Sequence, residues 1–220
     1  FATVYAGGFY SVLNTELPQN RLQTTVSVLN PKVIVTSESL LETAKEYFSE
    51  RKIVTFENLA KSEPDYAKLG EIRSHKIDPD PLYINFTSCS TGTPKGIVVC
   101  HRSVIDFIDH FTEIFGIDNN DVIANQAPFD FDVSVKDIYS AVKTGATLVV
   151  VPRRMFSAPA ELIDFICDRR ITVMIWAVSA LCLISTFHAL DYRTPETVNK
   201  ILFSGEVMPL KALKNFRSHL

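Results

Sequence analysis

Ten residues set between two apolar runs have the composition of a polyanion grip. Leu82-Tyr83-Ile84-Asn85-Phe86 leads into Thr87-Ser88-Cys89-Ser90-Thr91-Gly92-Thr93-Pro94-Lys95-Gly96, and Ile97-Val98-Val99-Cys100 leads out. Hydroxyls and backbone N–H groups donate to phosphate oxygens, glycines permit close backbone approach, and Lys95 adds a positive charge. The mononucleotide P-loop requires Gly-Lys followed by Ser or Thr at a helix start. Here Lys95 precedes Gly96 and a β-branched run, which reads as a hairpin between strands. On composition alone a phosphate cradle and an ordinary polar turn fit equally, and local side-chain bonds would shape the turn in either case.

Two further stretches sit where a strand hands over to a helix. Gln126-Ala127-Pro128-Phe129-Asp130-Phe131-Asp132-Val133-Ser134-Val135 is one, with Asp132 a natural N-cap. Ile201-Leu202-Phe203-Ser204-Gly205-Glu206-Val207-Met208-Pro209 is the other, with a tight turn expected at Gly205 and a helix opened near Pro209. In open parallel sheets, ligands bind at such strand ends.

The first stretch resembles the phosphate-loop signature of the adenylate-forming enzymes, T-S-G-S-T-G-x-P-K-G. It differs only at Cys89, where that signature has glycine. The second resembles the Phe-Asp-x-Ser element of amino-acid-activating adenylation domains, and the third their Gly-Glu turn. Asn125 to Phe129 and Gly205 to Pro209 look especially like D-alanine–carrier-protein ligases. Cys100-His101-Arg102-Ser103-Val104 instead resembles nonribosomal-peptide adenylation domains. Ala6 to Leu13 and Pro18 to Leu22 resemble early elements of the same family, with Val12 where proline is common.

The resemblance implies roles residue by residue. Thr87, Ser88, Ser90, Thr91, Gly92, Lys95 and Gly96 would hold ATP phosphates, with Lys95 as the catalytic cation; Gly205 and Glu206 would line the nucleotide side. Asp132 would pair with a substrate α-ammonium, Phe131 would pack beside the acyl site, and Lys136, Ser179, Leu202 and Ser204 would line the substrate side chain. Lys136 reads equally well as a solvent-facing helix lysine, and Trp176 as a core residue or a pocket neighbour. The implied reaction is ATP-dependent formation of an aminoacyl-AMP with release of pyrophosphate, then transfer to the phosphopantetheine thiol of a carrier protein. ATP, Mg2+ and a carrier partner follow from it; no residue is nominated as a metal ligand. An acyl-CoA or aryl-acid ligase is the alternative within the family. Cys89 keeps open a degenerate, non-catalytic module, because a cysteine forced to φ > 0 costs on the order of 1–2 kcal/mol.

These residues need a scaffold, and the pattern supplies one. Helices are expected over Pro18–Leu29, Leu40–Phe48, His101–Phe115, Phe131–Val142, Pro159–Arg169, Ser179–Leu190 and Pro209–Leu220. Strands are expected over Lys32–Thr36, Lys52–Phe56, Asp121–Ala127, Ala146–Val151, Ile171–Ala177 and Asn199–Ser204. The inner helix faces read as Val104, Phe107, Ile108, Phe111 and Ile114, and as Val135, Ile138, Tyr139 and Val142. Asn58 to Pro81 reads as a connection with one helical turn. Alternation of this kind predicts an α/β fold of mostly parallel sheets flanked by helices. The resemblance makes it part of a layered αβαβα N-terminal domain, with a first lobe over 1–80 and a second over 81–220.

Bulk properties agree. The chain has 220 residues, is 46% hydrophobic and carries a net charge of −3, so no nucleic-acid surface is indicated. No apolar run approaches the roughly 20 residues of a membrane span. Cys89, Cys100, Cys167 and Cys182 match no zinc or redox spacing and read as reduced thiols of a cytoplasmic protein. The lack of an initiator methionine and the helical pattern at His219-Leu220 read as a piece of a longer chain. The family's Tyr-Gly-Pro-Thr-Glu element and C-terminal lid are missing from it, so the piece alone is expected to be inactive.

Overall fold

The computed structural model describes residues 1–87 and 94–220 and divides into two compact units, Phe1–Arg102 and Ser103–Leu220. In the first, helix Gln19–Leu29 buries Leu22, Thr25 and Val26 and stops at Asn30 in the left-handed region, just before Pro31. Strands β1 (Ile34–Thr36) and β2 (Ile53–Thr55) pair in parallel. Helix Leu41–Tyr47 lies between them in sequence. Strands β3 (Pro81–Thr87) and β4 (Lys95–Cys100) pair antiparallel, as the hydroxyl-rich stretch predicts.

The connection read over Asn58 to Pro81 is corrected. It holds the end of helix Phe56–Leu59 and all of helix Tyr66–Ser74. Thr55 and Asp65 cap them by accepting from the amides of Asn58 and Lys68. Neither helix buries a residue, so no apolar period betrayed them; the cap residues were the available signal.

The second unit is built on four parallel strands: β5 (Val122–Asn125), β6 (Thr147–Val150), β7 (Val173–Ile175) and β8 (Lys200–Leu202). Their spatial order is β6-β5-β7-β8. Helices Ser134–Thr144, Pro159–Asp168 and Val178–Thr186 make the crossovers, and Leu210–His219 follows β8. Leu162, Ile163, Ile166, Leu181 and Ile184 are wholly buried against the sheet. This is the expected α/β class, with helices flanking parallel strands.

Two helix faces differ from expectation. Helix His101–Phe115 buries Val104, Ile108, Phe111 and Thr112, whereas Phe107 and Ile114 are 43% and 72% exposed. The stripe that packs is the narrow i, i+4, i+7 row, and the flanking apolar residues fall outside it. Helix Ser134–Thr144 buries Ser134, Val135, Asp137, Ser140 and Ala141, and Val142 is 59% exposed. The helix expected over Ser179–Leu190 is broken at His188, which takes φ 52° between Val178–Thr186 and Ala189–Tyr192.

The amino ends of β5, β7 and β8 are clamped by one carboxylate. Asp121 is 4% exposed; it accepts from Thr172 Oγ1 at 2.7 Å, the Asp118 amide at 3.0 Å, and Lys200 Nζ at 3.0 and 3.1 Å. Burial pushes its titration up, but those donors outweigh it and hold the carboxyl below its ordinary range.

Candidate functional site at the carboxyl edge of the parallel sheet

In the second unit the chain leaves β5 to reach β6 on one side, then returns to place β7 on the other. In open α/β sheets ligands bind beyond the carboxyl ends of the strands at such a reversal, here those of β5 and β7. The residues there are tied by side-chain bonds. Gln126 Oε1 accepts from the Ala177 amide at 3.1 Å, and Trp176 Nε1 donates to the Ala124 carbonyl at 2.8 Å. Trp176 is 2% exposed and lies edge-on to Phe156, so it is a core residue that pins β5 to β7.

Sequence-nominated residues gather on this edge. Ser179 is exposed at the second position of helix Val178–Thr186. Leu202 is half-buried at the end of β8, its carbonyl accepting from the Trp176 amide at 2.9 Å. Ser204 is exposed, and its hydroxyl accepts from Lys136 Nζ at 3.4 Å. Gly205 takes φ +89° and makes the expected turn; Glu206 beside it is exposed, and helix Leu210–His219 opens after Pro209.

The loop from Gln126 to Val133 carries Phe131 and Asp132. It is folded by the Phe131 amide donating to the Pro128 carbonyl at 3.0 Å and by Ser134 Oγ donating to the Phe131 carbonyl at 2.7 Å. Asp132 is not the N-cap: Val133 holds that position and no side chain caps the helix. Both Phe131 and Asp132 are exposed.

A buried carboxyl that the sequence did not flag supports this loop. Asp137 is wholly buried and its Oδ2 accepts from Asn125 Nδ2 at 2.7 Å. The same amide nitrogen donates to the Ala127 carbonyl at 3.1 Å. Asp137 Oδ1 and Ser140 Oγ are buried without a hydrogen-bond partner among the described residues. Burial raises the Asp137 carboxyl to about 7, against the opposing Asn125 bond and Lys136 charge. Its signal in sequence was the row Ser134, Asp137, Ser140, Ala141, a helical stripe of small and polar residues.

In the first unit, Thr87 and Lys95 pair across the hairpin, as do Phe86 and Gly96. Thr87, Lys95 and Gly96 are exposed and Pro94 is buried. A Cβ on Gly96 would stand 3.0 Å from Ile84 Cγ2 and 3.3 Å from the Phe86 ring, so the glycine lets the two strands close. Ser88, Cys89, Ser90, Thr91 and Gly92 lie outside the described residues. Cys100, Cys167 and Cys182 are half-buried, with the Cys167 thiol raised by burial. Among the described residues no three His, Cys, Asp or Glu side chains gather as a metal cage, and no helix is long and apolar enough to cross a membrane.

Comparison with known proteins follows the same lines. The family described as AMP-binding enzyme matches residues 1–220. An L-proline–[L-prolyl-carrier protein] ligase of Pseudomonas fluorescens is 37% identical over 143 residues, covering 64% of this chain and 29% of the relative. A D-alanine–D-alanyl carrier protein ligase of Staphylococcus aureus is 29% identical over 213 residues, covering 96% of this chain and 42% of the relative. The nonribosomal peptide synthetase FmoA3 superposes with a TM-score of 0.84 at 22% identity, over 98% of this chain and 22% of its own. The chain thus spans less than half the length of these relatives.

Proposed function

Since this chain belongs to the AMP-binding enzyme family, we propose that the whole protein activates an amino acid with ATP and passes it to a carrier protein. In the first step a carboxylate oxygen of the amino acid bonds to the α-phosphorus of ATP. The α–β anhydride bond breaks and pyrophosphate leaves. In the second, a phosphopantetheine thiolate attacks the acyl carbon, a thioester forms and AMP departs.

The observation that carries this reading is the switch point of the parallel sheet, beyond whose carboxyl edge the chain continues into the Asp132 loop, into Ser179 and into the turn after Leu202. Asp132 is assigned to the α-ammonium, where an ion pair discriminates amino acids from plain acids. Phe131 and Leu202 offer apolar surface, and Ser179 and Ser204 hydroxyls. Lys95 and Thr87 at the hairpin base, with the hydroxyl-rich residues between them, are assigned to the phosphates, and Gly205 and Glu206 to the nucleotide side. Phosphoryl chemistry of this type depends on positioning and charge neutralisation. Mg2+ would enter on the nucleotide, whose phosphates and water supply most of its ligands, and would add to that neutralisation. The proline and D-alanine carrier-protein ligases support both the substrate class and the carrier partner.

ATP–pyrophosphate exchange on the full-length protein, screened across amino acids, tests the proposal. Exchange with an amino acid is expected, falling about 100-fold or more in Asp132→Ala, as when a polar subsite loses the group that pairs with its substrate. Exchange supported only by fatty or aryl acids would replace it with an acyl-CoA or aryl-acid ligase.

A further inference from the structure

One side-chain amide closes both ends of the loop that carries Phe131 and Asp132. Asn125 Nδ2, at the end of β5, donates to the Ala127 carbonyl at 3.1 Å, where the loop begins, and to Asp137 Oδ2 at 2.7 Å, on the helix that follows it. A carbonyl oxygen only accepts, so the Asn125 nitrogen has to face this way, and its two hydrogens serve the two ends. The strand end that bears this amide is itself fixed. The next residue, Gln126, accepts through Oε1 from the Ala177 amide just beyond β7 at 3.1 Å.

Between those ends the loop buries little. Pro128, Phe129, Phe131 and Val133 are exposed, so the apolar residues that could anchor it by burial face solvent. The Phe131 amide bond to the Pro128 carbonyl and the Ser134 hydroxyl bond to the Phe131 carbonyl shape the loop from within. The clasp beneath is dry: Asn125 is 3% exposed and Asp137 wholly buried, where water does not replace a lost partner.

From this we propose that Asp137 is a positioning residue for the reaction, which through the Asn125 clasp sets where the Asp132 carboxylate stands to meet the α-ammonium of the amino acid. The inference rests on the amino-acid-activating reading above and adds to it a residue that never touches the substrate. Two physical points carry it. Oδ2 offers the Asn125 hydrogen an acceptor whether the carboxyl is ionised or holds its proton on Oδ1, so the clasp does not depend on charge. Asp132 lies on an exposed loop, and a shift of about 1 Å in a group that positions a substrate can cost on the order of 100-fold in rate.

The test is steady-state ATP–pyrophosphate exchange on the full-length protein with its best amino acid. It compares Asp137→Ala, Asn125→Ala and Asp137→Asn, and then Asp137→Ala and Asn125→Ala each combined with Asp132→Ala. Asp137→Ala and Asn125→Ala open the clasp from its two sides. Each is expected to raise the KM of the amino acid about 10-fold or more and to leave the KM of ATP unchanged. Asp137→Asn still presents a carbonyl oxygen to the Asn125 amide and is expected to stay within about threefold of the parent. Once Asp132 is gone its placement has no value, so in the Asp132→Ala background opening the clasp is expected to cost less than about twofold. Asn125→Ala carries the same comparison should Asp137→Ala fail to fold.

A purely structural role would lower kcat in step with the folded fraction and move neither KM, and that result would overturn the inference. So would losses that multiply in full with that of Asp132→Ala, or an Asp137→Asn protein as impaired as Asp137→Ala. These results leave the amino-acid-activating reading intact. Exchange with no amino acid by the unmodified protein would remove both readings together.

Discussion

Asp137 Oδ2 and Asn125 Nδ2 meet at 2.7 Å beneath the carboxyl edge of the sheet, with the carboxyl wholly buried. Asn125 ends β5 and also donates to the Ala127 carbonyl. The pair therefore fixes how the chain leaves the strand for the loop that carries Phe131 and Asp132. Its energetics are set by water exclusion, because a carboxylate with one unpartnered oxygen is costly to ionise there.

That cost makes stability depend on pH. An unfolded carboxyl titrates near pH 4 and this one near 7, raised first by burial. Between those values the folded chain keeps a proton that the unfolded chain has released, so stability falls as pH rises through the window and levels off above it. Asp137→Asn, which has no proton to lose, is expected to flatten this slope. It should unfold at higher urea than the parent at pH 8, by on the order of 2–4 kcal/mol, and within about 1 kcal/mol of it at pH 5. Identical slopes for the two proteins would refute the assignment.

The opposite end of the sheet has the reverse sign. Asp121 sits below the ordinary carboxylate range, so the stability it contributes is present above about pH 4 and lost as pH falls through its folded value. Lys200→Met would leave a buried carboxylate without its cation, and a loss of on the order of 2–4 kcal/mol in urea unfolding at pH 7 is expected. Thr172 and the Asp118 amide still bond it, which keeps the expected loss at the lower end.

Two glycines near the assigned sites have different physical reasons to be glycine. Gly205 has open space around a prospective Cβ but takes φ +89°. Gly205→Ala should cost about 1–2 kcal/mol, and Gly205→Asn less, because Asn tolerates the left-handed region. Gly96 is limited by Ile84 and Phe86 instead. Gly96→Ala and Gly96→Asn should both destabilise, the larger side chain more, by about 1–3 kcal/mol for overpacking. Thermal unfolding of the four variants reads the contrast directly: asparagine is the milder change at 205 and the harsher one at 96.

The sequence by itself determined the alternation of helix and strand, the β3–β4 hairpin, the turn at Gly205 and the family. Each of these depends on local chemistry: glycine punctuation, β-branched runs and an irregular motif too long to arise from general composition. Tertiary structure decided which face of each helix is buried. Phe107, Ile114 and Val142 are as apolar as their buried neighbours and lie outside, whereas Asp137 and Ser140 lie inside. A helix presents only one stripe to its sheet, and residue type alone does not say where that stripe is centred. Tertiary structure also brought Lys136 to Ser204 and Gln126 to Ala177, pairs separated by 68 and 51 positions in the chain. Such contacts follow from strand order, and the order β6-β5-β7-β8 arises from packing crossover helices against the sheet, a long-range balance that no local stretch encodes.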